Sequence, residues 1–121
     1  MLLGADNQLK LSDFGFAHKF ESQDELCEQY LGTEGYMSPE IAERTGSYSP
    51  VKADIFAAGV CLFIMVCGYM PFKNATKDDP YYKCICKNRT DIFWRSHDKK
   101  MLDKRRQPLS KELKELLGQI F

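Results

Sequence analysis

Asp13, in the stretch Leu9-Lys10-Leu11-Ser12-Asp13-Phe14-Gly15, is the first residue of the chain placed to do chemistry. A carboxylate is a hard oxygen ligand of the kind that holds magnesium beside nucleotide phosphates. Glu40 follows twenty-seven residues later, closing Gly32-Thr33-Glu34-Gly35-Tyr36-Met37-Ser38-Pro39-Glu40, and Asp54 stands fourteen further on, opening Asp54-Ile55-Phe56-Ala57-Ala58-Gly59. Taken singly, Glu40 and Asp54 read as first-turn carboxylates, which the helix macrodipole favours. The five cysteines (27, 61, 67, 84 and 86) are odd in number and lack Cys-x-x-Cys spacing, so they read as reduced thiols and not as metal ligands.

Local elements must position these groups. Leu9 and Leu11 alternate with Lys10 and Ser12, and Gly4-Ala5-Asp6-Asn7 separates them from Leu2-Leu3, which predicts a short hairpin ending at Asp13. No period holds between Gly15 and Gly35, so this stretch is read as a loop long enough to be functional. Ser38-Pro39-Glu40 has the cap-then-proline pattern of a short helix reaching about Arg44. Ser49-Pro50 repeats it, and the apolar run Ile55 to Cys67 stops at Gly68. That helix is apolar nearly all round, as a buried central helix or a membrane span would be. Counted from Ile55 to Met70 it has sixteen residues, short of the ~20 a bilayer needs. Asp79-Pro80 opens a further helix to about Lys87, an irregular basic stretch runs to Pro108, and Ser110 caps a last helix carrying Leu113, Leu116, Leu117 and Ile120 on one face.

Composition narrows the classes. With 121 residues, 44% apolar and 28% charged, the chain is expected to form one globular domain. Basic and acidic side chains number 17 each, so no overall charge drives it to nucleic acid or to an acidic membrane. The balance hides an asymmetry: residues 1–49 hold nine acidic and three basic side chains (−6), and residues 83–106 hold nine basic and three acidic ones (+6). These are two solvated faces, or else a basic docking surface facing an acidic partner. Asp6, Lys10 and Asp13 interrupt any signal peptide, so a cytoplasmic protein is expected and the sequons at Asn74 and Asn88 read as accidental.

The order of motifs is more specific than any one of them. Strand, Asp-Phe-Gly, long loop, Gly-Thr-x-x-Tyr-x-Ser-Pro-Glu, then Asp-x-aromatic-x-x-Gly on an apolar helix resembles the C-terminal lobe of a eukaryotic Ser/Thr protein kinase, over essentially the whole chain. The resemblance implies a mainly α fold: a partial kinase C-lobe with an N-terminal β-hairpin, a long activation segment and about four helices. Residues 1–14 would be the hairpin and Asp-Phe-Gly, 15–40 the activation segment and 41–121 the helical part. It implies that Asp13 binds the magnesium of Mg-ATP, that Phe14 packs into a hydrophobic spine and that Gly15 is a hinge. Gly32 to Met37 would position the substrate, with Thr33 contacting a catalytic aspartate and marking the Ser/Thr class. Glu40 would pair with a later arginine, and Asp54 would hold the catalytic-loop backbone. Phe16 is similar to members favouring serine over threonine.

Departures qualify the resemblance. Ser38 stands for the commoner alanine and Phe56 for the usual tryptophan. Gln29 occupies a position often phosphorylated, leaving Ser22 or Tyr30 for modification or Glu28 as a fixed charge. The glycine-rich loop, the small-lobe lysine and glutamate, the His-Arg-Asp-x-x-x-x-Asn catalytic loop and the late arginine have no counterpart in this sequence. The chain is therefore expected to be a piece of a Ser/Thr kinase, inactive alone and without tight affinity for Mg2+ or ATP, which the parent would use on protein substrates. The alternative is a kinase-derived, non-catalytic protein-binding module, possible docking being at 83–106; a membrane-inserted protein built on 55–70 is the third reading. The apolar helix is expected to lack part of its packing and to leave a large apolar patch exposed.

Overall fold

Two short strands open the chain, and five helices follow. The computed structural model describes residues 1–22 and 24–121. Strands β1 (Leu2–Leu3) and β2 (Leu9–Lys10) pair antiparallel, with Leu2 opposite Lys10 and Leu3 opposite Leu9. Asn7 turns the loop between them at φ 59°, a left-handed conformation that asparagine tolerates. The turn is closed by the Asn7 N–H donating to the Gly4 carbonyl at 2.9 Å.

Helix α1 (Pro39–Ala42) starts at Ser38 as the Ser-Pro pattern predicts. Helix α2 (Pro50–Cys67) runs 18 residues and ends at Gly68, whose φ of 75° is the left-handed stop expected of glycine. By length and composition α2 could cross a bilayer, since it begins five residues before the apolar run. It is instead the central helix of a core. Phe56, Val60, Phe63 and Cys67 lie on its buried face with Phe72, Ala75, Tyr82, Phe93, Met101 and Leu117. Burial pushes the Cys67 thiol up to about 11, so it is an inert core group.

Helix α3 (Tyr82–Cys86) packs on α4 (Thr90–Asp103), and α5 (Lys111–Ile120) packs on α2. Gly59 lets α5 approach closely: a Cβ there would stand 2.5 Å from Ile120 Cγ2. Ser110 caps α5 through Oγ, which accepts from the Leu113 N–H at 3.3 Å. Ser49 precedes α2 but makes no such side-chain cap.

The main difference from expectation is α4, which occupies most of the stretch read as irregular. Phe93, His97 and Met101 are buried on it at a spacing of four, with Lys and Arg elsewhere on the same helix. A histidine in the middle of the stripe, among so many cations, concealed its period. Lys114 Nζ and Asp98 Oδ2 then tie α5 to α4 at 2.7 Å.

One face of α2 remains uncovered. Val51, Ile55 and Met65 are 45%, 52% and 69% exposed, and Ala58 is exposed between them. The expected apolar patch is present.

Candidate functional site

Asp13 ends the hairpin in the left-handed region at φ 66°, with its carboxylate in solvent. Its Oδ1 accepts the Gly15 N–H at 3.4 Å, so the side chain folds over its own turn. Phe14 is 69% exposed and packs into no spine among the described residues. The described residues contain no group of three or more His, Cys, Asp or Glu side chains that could hold a metal. One carboxylate in solvent is too few for magnesium, which prefers six oxygens around it. The side chains present do not by themselves fit a Mg-ATP site.

The loop that follows is built from two short-range ties and one long-range backbone bridge. Glu25 accepts the Glu21 N–H at 2.9 Å and meets His18 Nε2 at 3.1 Å. The Glu21 N–H and then His18 hold the Glu25 carboxyl below its usual range. Further on, Cys27 and Tyr48 form an antiparallel bridge outside any named strand. The Tyr48 hydroxyl donates to the Gln29 carbonyl at 2.6 Å, and the Tyr30 hydroxyl donates to the Gly46 carbonyl at 3.3 Å. Residues 27–30 are thereby stitched to 46–48.

This stitching fixes where Gly32 to Met37 lies. The Thr33 carbonyl accepts the Tyr36 N–H at 3.1 Å, while Thr33 itself is exposed. Gly32 and Gly35 have φ of 149° and 83°, and a Cβ on Gly35 would stand 2.6 Å from Met70 Cε and 3.1 Å from the Lys73 carbonyl. Only glycine lets this turn reach the loop after α2.

That loop, residues 73–79, is organised by Asp79, which is buried. Its Oδ2 accepts the N–H groups of Lys73 (2.9 Å) and Asn74 (3.4 Å), and its Oδ1 accepts those of Tyr81 and Tyr82, both at 2.9 Å. Glu43, just after α1, clamps it from the other side: Oε1 accepts the Lys77 N–H at 2.9 Å, and Oε2 lies 3.5 Å from Lys77 Nζ. Between α1 and this loop is an open cavity of about 210 Å³, lined by Tyr30, Glu34, Gly35, Met37, Arg44 and Asn74 among others. Its lining mixes apolar side chains, Met37, Ile41 and Ala75, with one carboxylate and one guanidinium. Arg44 leans over the Tyr30 ring at 5.8 Å.

Glu40 is half-buried in α1 and Asp54 is exposed near the start of α2; neither makes an ion pair among the described residues. Both carboxylates nevertheless reach the surroundings of Tyr48. Its hydroxyl is pushed above the usual range by burial first, then by Cys27, Tyr30, Asp54 and Glu40. The charges of Glu40 and Asp54 thus act on one tyrosine, Tyr48, while Asp13 and Phe14 lie on the solvent-exposed hairpin end. Asp79 and Tyr48 were not singled out from sequence as site residues. The Asp-Pro helix start at 79–80 was a signal for the first, and nothing local signalled the second.

The family described as the protein kinase domain matches residues 1–121. The chain is 42% identical over 89 residues to CBL-interacting protein kinase 11 of Oryza sativa subsp. japonica, covering 72% of this chain and 17% of that protein. It is 39% identical over 85 residues to CBL-interacting serine/threonine-protein kinase 15 of Arabidopsis thaliana, covering 69% and 20%. With rice CBL-interacting protein kinase 2 the match is 40% over 101 residues, covering 76% and 23%. The chain thus spans about a fifth of the length of the relatives it matches. An Asp-Phe-Gly at a hairpin end, a glycine-turned loop pinned ahead of a Ser-Pro-Glu helix and a match along all 121 residues have one common source: the chain belongs to the eukaryotic Ser/Thr protein kinases.

Proposed function

We propose that this chain carries the substrate-facing part of a Ser/Thr kinase's C-lobe, with residues 15–40 as its activation segment, and that it transfers no phosphate alone. In an assembled kinase domain Asp13 would supply one of the magnesium ligands toward ATP, with Phe14 and Gly15 the switch beside it and Gly32 and Thr33 the turn that presents a protein Ser or Thr hydroxyl. Glu40 and Asp54 hold the segment and the helix beneath it. The observation that carries this reading is the pair of clamps, Cys27–Tyr48 and Glu43–Lys77, that fix the Gly32–Met37 loop against residues 74–79 and leave the cavity between them. Catalysis in this family is chiefly positioning and electrostatics, so a rigid substrate ledge with one metal ligand is a part of the machinery only. Protein partners other than substrates are assigned to the basic stretch 83–106, and the compartment is a reducing cytoplasm, in keeping with five free cysteines.

The test has two arms. The 121-residue chain with Mg-ATP and a mixed Ser/Thr peptide library should transfer no phosphate. A longer product of the same gene containing it should phosphorylate Ser or Thr and lose that activity on Asp13→Ala. Transfer by the short chain, or a longer product indifferent to Asp13→Ala, would refute the reading.

A further inference from the structure

The cations of residues 83–106 are not equivalent. Arg89 and Arg95 share the Asp91 carboxylate, at 3.2 and 3.9 Å, and are thereby partly neutralised. Lys100, Lys104 and Arg106 have no carboxylate within 4 Å among the described residues, and they converge on one spot. Lys100 Nζ lies 3.9 Å and Lys104 Nζ 4.8 Å from the centroid of the same ring, that of Tyr69. Arg106 Nη1 donates to the Cys67 carbonyl at 2.8 Å, so its guanidinium lies against the end of α2, one residue before Gly68-Tyr69.

Tyr69 is itself held. Its hydroxyl donates to the His97 carbonyl at 3.2 Å, and its ring stacks on the His97 ring at 5.7 Å. Attraction of the ammonium groups to the ring face keeps two like charges near one another that would otherwise separate. The nearby carboxylates are Asp98, already paired with Lys114, and Asp103, exposed and without an ion-pair partner among the described residues, so three cations outnumber the one carboxylate left to offset them.

We propose that the Tyr69–Lys100–Lys104–Arg106 face is a docking surface for a short, carboxylate-rich polypeptide segment. This narrows the partner role assigned above to 83–106 and rests on that role, not on phosphoryl transfer. A small acidic segment is the occupant because the positive field is local. The chain as a whole is neutral, with 17 basic and 17 acidic side chains, so an extended polyanion such as an anionic membrane or a nucleic acid would find no net positive charge to hold it beyond the patch. A segment of a few residues meets chiefly the three cations, with Asp103 beside them in sequence. The fixed guanidinium and the two ring-held ammonium groups are partly ordered before binding, which lessens the entropy lost on docking.

The probe is a fluorescently labelled oligo-glutamate peptide, with anisotropy read on the 121-residue chain. Binding is expected, weakening by on the order of tenfold when salt rises from about 0.05 to about 0.3 M. Lys100→Gln/Lys104→Gln should weaken it by about tenfold or more, and Lys100→Arg/Lys104→Arg should retain it, since arginine keeps both charge and ring contact. Far-UV circular dichroism of both doubles verifies that helix content is kept. If Lys83→Gln/Lys87→Gln abolishes binding and the Lys100/Lys104 doubles do not, the docking role stands and the patch is wrong. If the unsubstituted chain binds no oligo-glutamate at low salt, the docking role fails and the patch with it. Equal or tighter binding of phosphatidylserine vesicles or duplex DNA would overturn the choice of partner.

Discussion

Cys27 and Tyr48 exchange both backbone hydrogen bonds, each N–H donating to the other's carbonyl at 2.9 Å, across twenty-one residues of chain. This single bridge converts a stretch with no period of its own into a loop whose far end is fixed. The Tyr48 hydroxyl adds a third bond, to Gln29. Tyr48→Phe should remove about 0.5–1.5 kcal/mol of local stability while leaving the core intact. Limited trypsin digestion should then cut faster at Lys19 and Arg44, with the urea midpoint nearly unchanged. Unaltered cleavage would mean that the hydroxyl does not hold the loop.

Asp79 is the second organiser, with four backbone N–H donors on two oxygens. Alanine would leave those donors without their acceptor in a partly buried loop, and charge-assisted bonds of this kind contribute about 1.5–3 kcal/mol. Asp79→Ala is expected to lower stability by about 2–4 kcal/mol. Asp79→Asn should cost less, since one amide oxygen still accepts from one side, while its NH2 now faces donors on the other. Equilibrium urea unfolding of the three proteins gives the order; an asparagine variant as weak as alanine would rule out residual acceptance.

The helices that announced themselves did so through local signals. Ser-Pro pairs mark the starts of α1 and α2, and Leu113, Leu116, Leu117 and Ile120 mark α5. Helix α4 was hidden because His97, one of the three residues at its buried spacing, is not counted as apolar although its ring is enclosed by aromatic ones. Asp13, Glu40 and Asp54 stand out in the sequence by type and order, and the roles given to them are those proposed above. The cavity does not stand out, since its walls come from 30–44 and 74–76, and only tertiary packing brings those together. The same limit applies to Ser38: its hydroxyl is buried without a partner among the described residues, where the Ser-Pro pattern alone suggests a cap.

Val51, Ile55 and Met65 on α2, with Leu2, Leu3, Leu9 and Phe14 on the hairpin, present a large exposed apolar area. Single exposed apolar residues are ordinary, but a stripe along a central helix marks a surface that associates. The 121-residue chain is expected to bind the dye ANS and to sediment as concentration-dependent oligomers. Ile55→Lys/Met65→Lys should reduce both without loss of helix content, because neither side chain is in the core. A sharp two-state melt of the unsubstituted monomer above about 50 °C would contradict this.

His97 makes stability depend on pH in a defined direction. It is 2% exposed, its two ring nitrogens have no hydrogen-bond partner among the described residues, and Phe93, Phe63 and Tyr81 lie 4.4, 4.9 and 5.0 Å from it. Burial, and after it the Lys100 charge, lower its pKa from 6.5 to about 4, against a weaker opposing pull from the Pro71 carbonyl, which is too poorly placed for a hydrogen bond of good geometry, and from Asp98. The unfolded chain therefore takes up a proton below pH 6.5 that the folded chain refuses until about pH 4. Stability from this group is complete above pH 6.5 and declines as pH falls through that window, by on the order of 2 kcal/mol. His97→Leu abolishes the ionisation and fills a similar apolar volume, so the difference between variant and parent isolates it from the carboxylates that titrate at the same pH. Urea midpoints at pH 7 and pH 4.5 should converge in His97→Leu relative to the parent chain; an equal decline in both would assign the acid sensitivity to other groups.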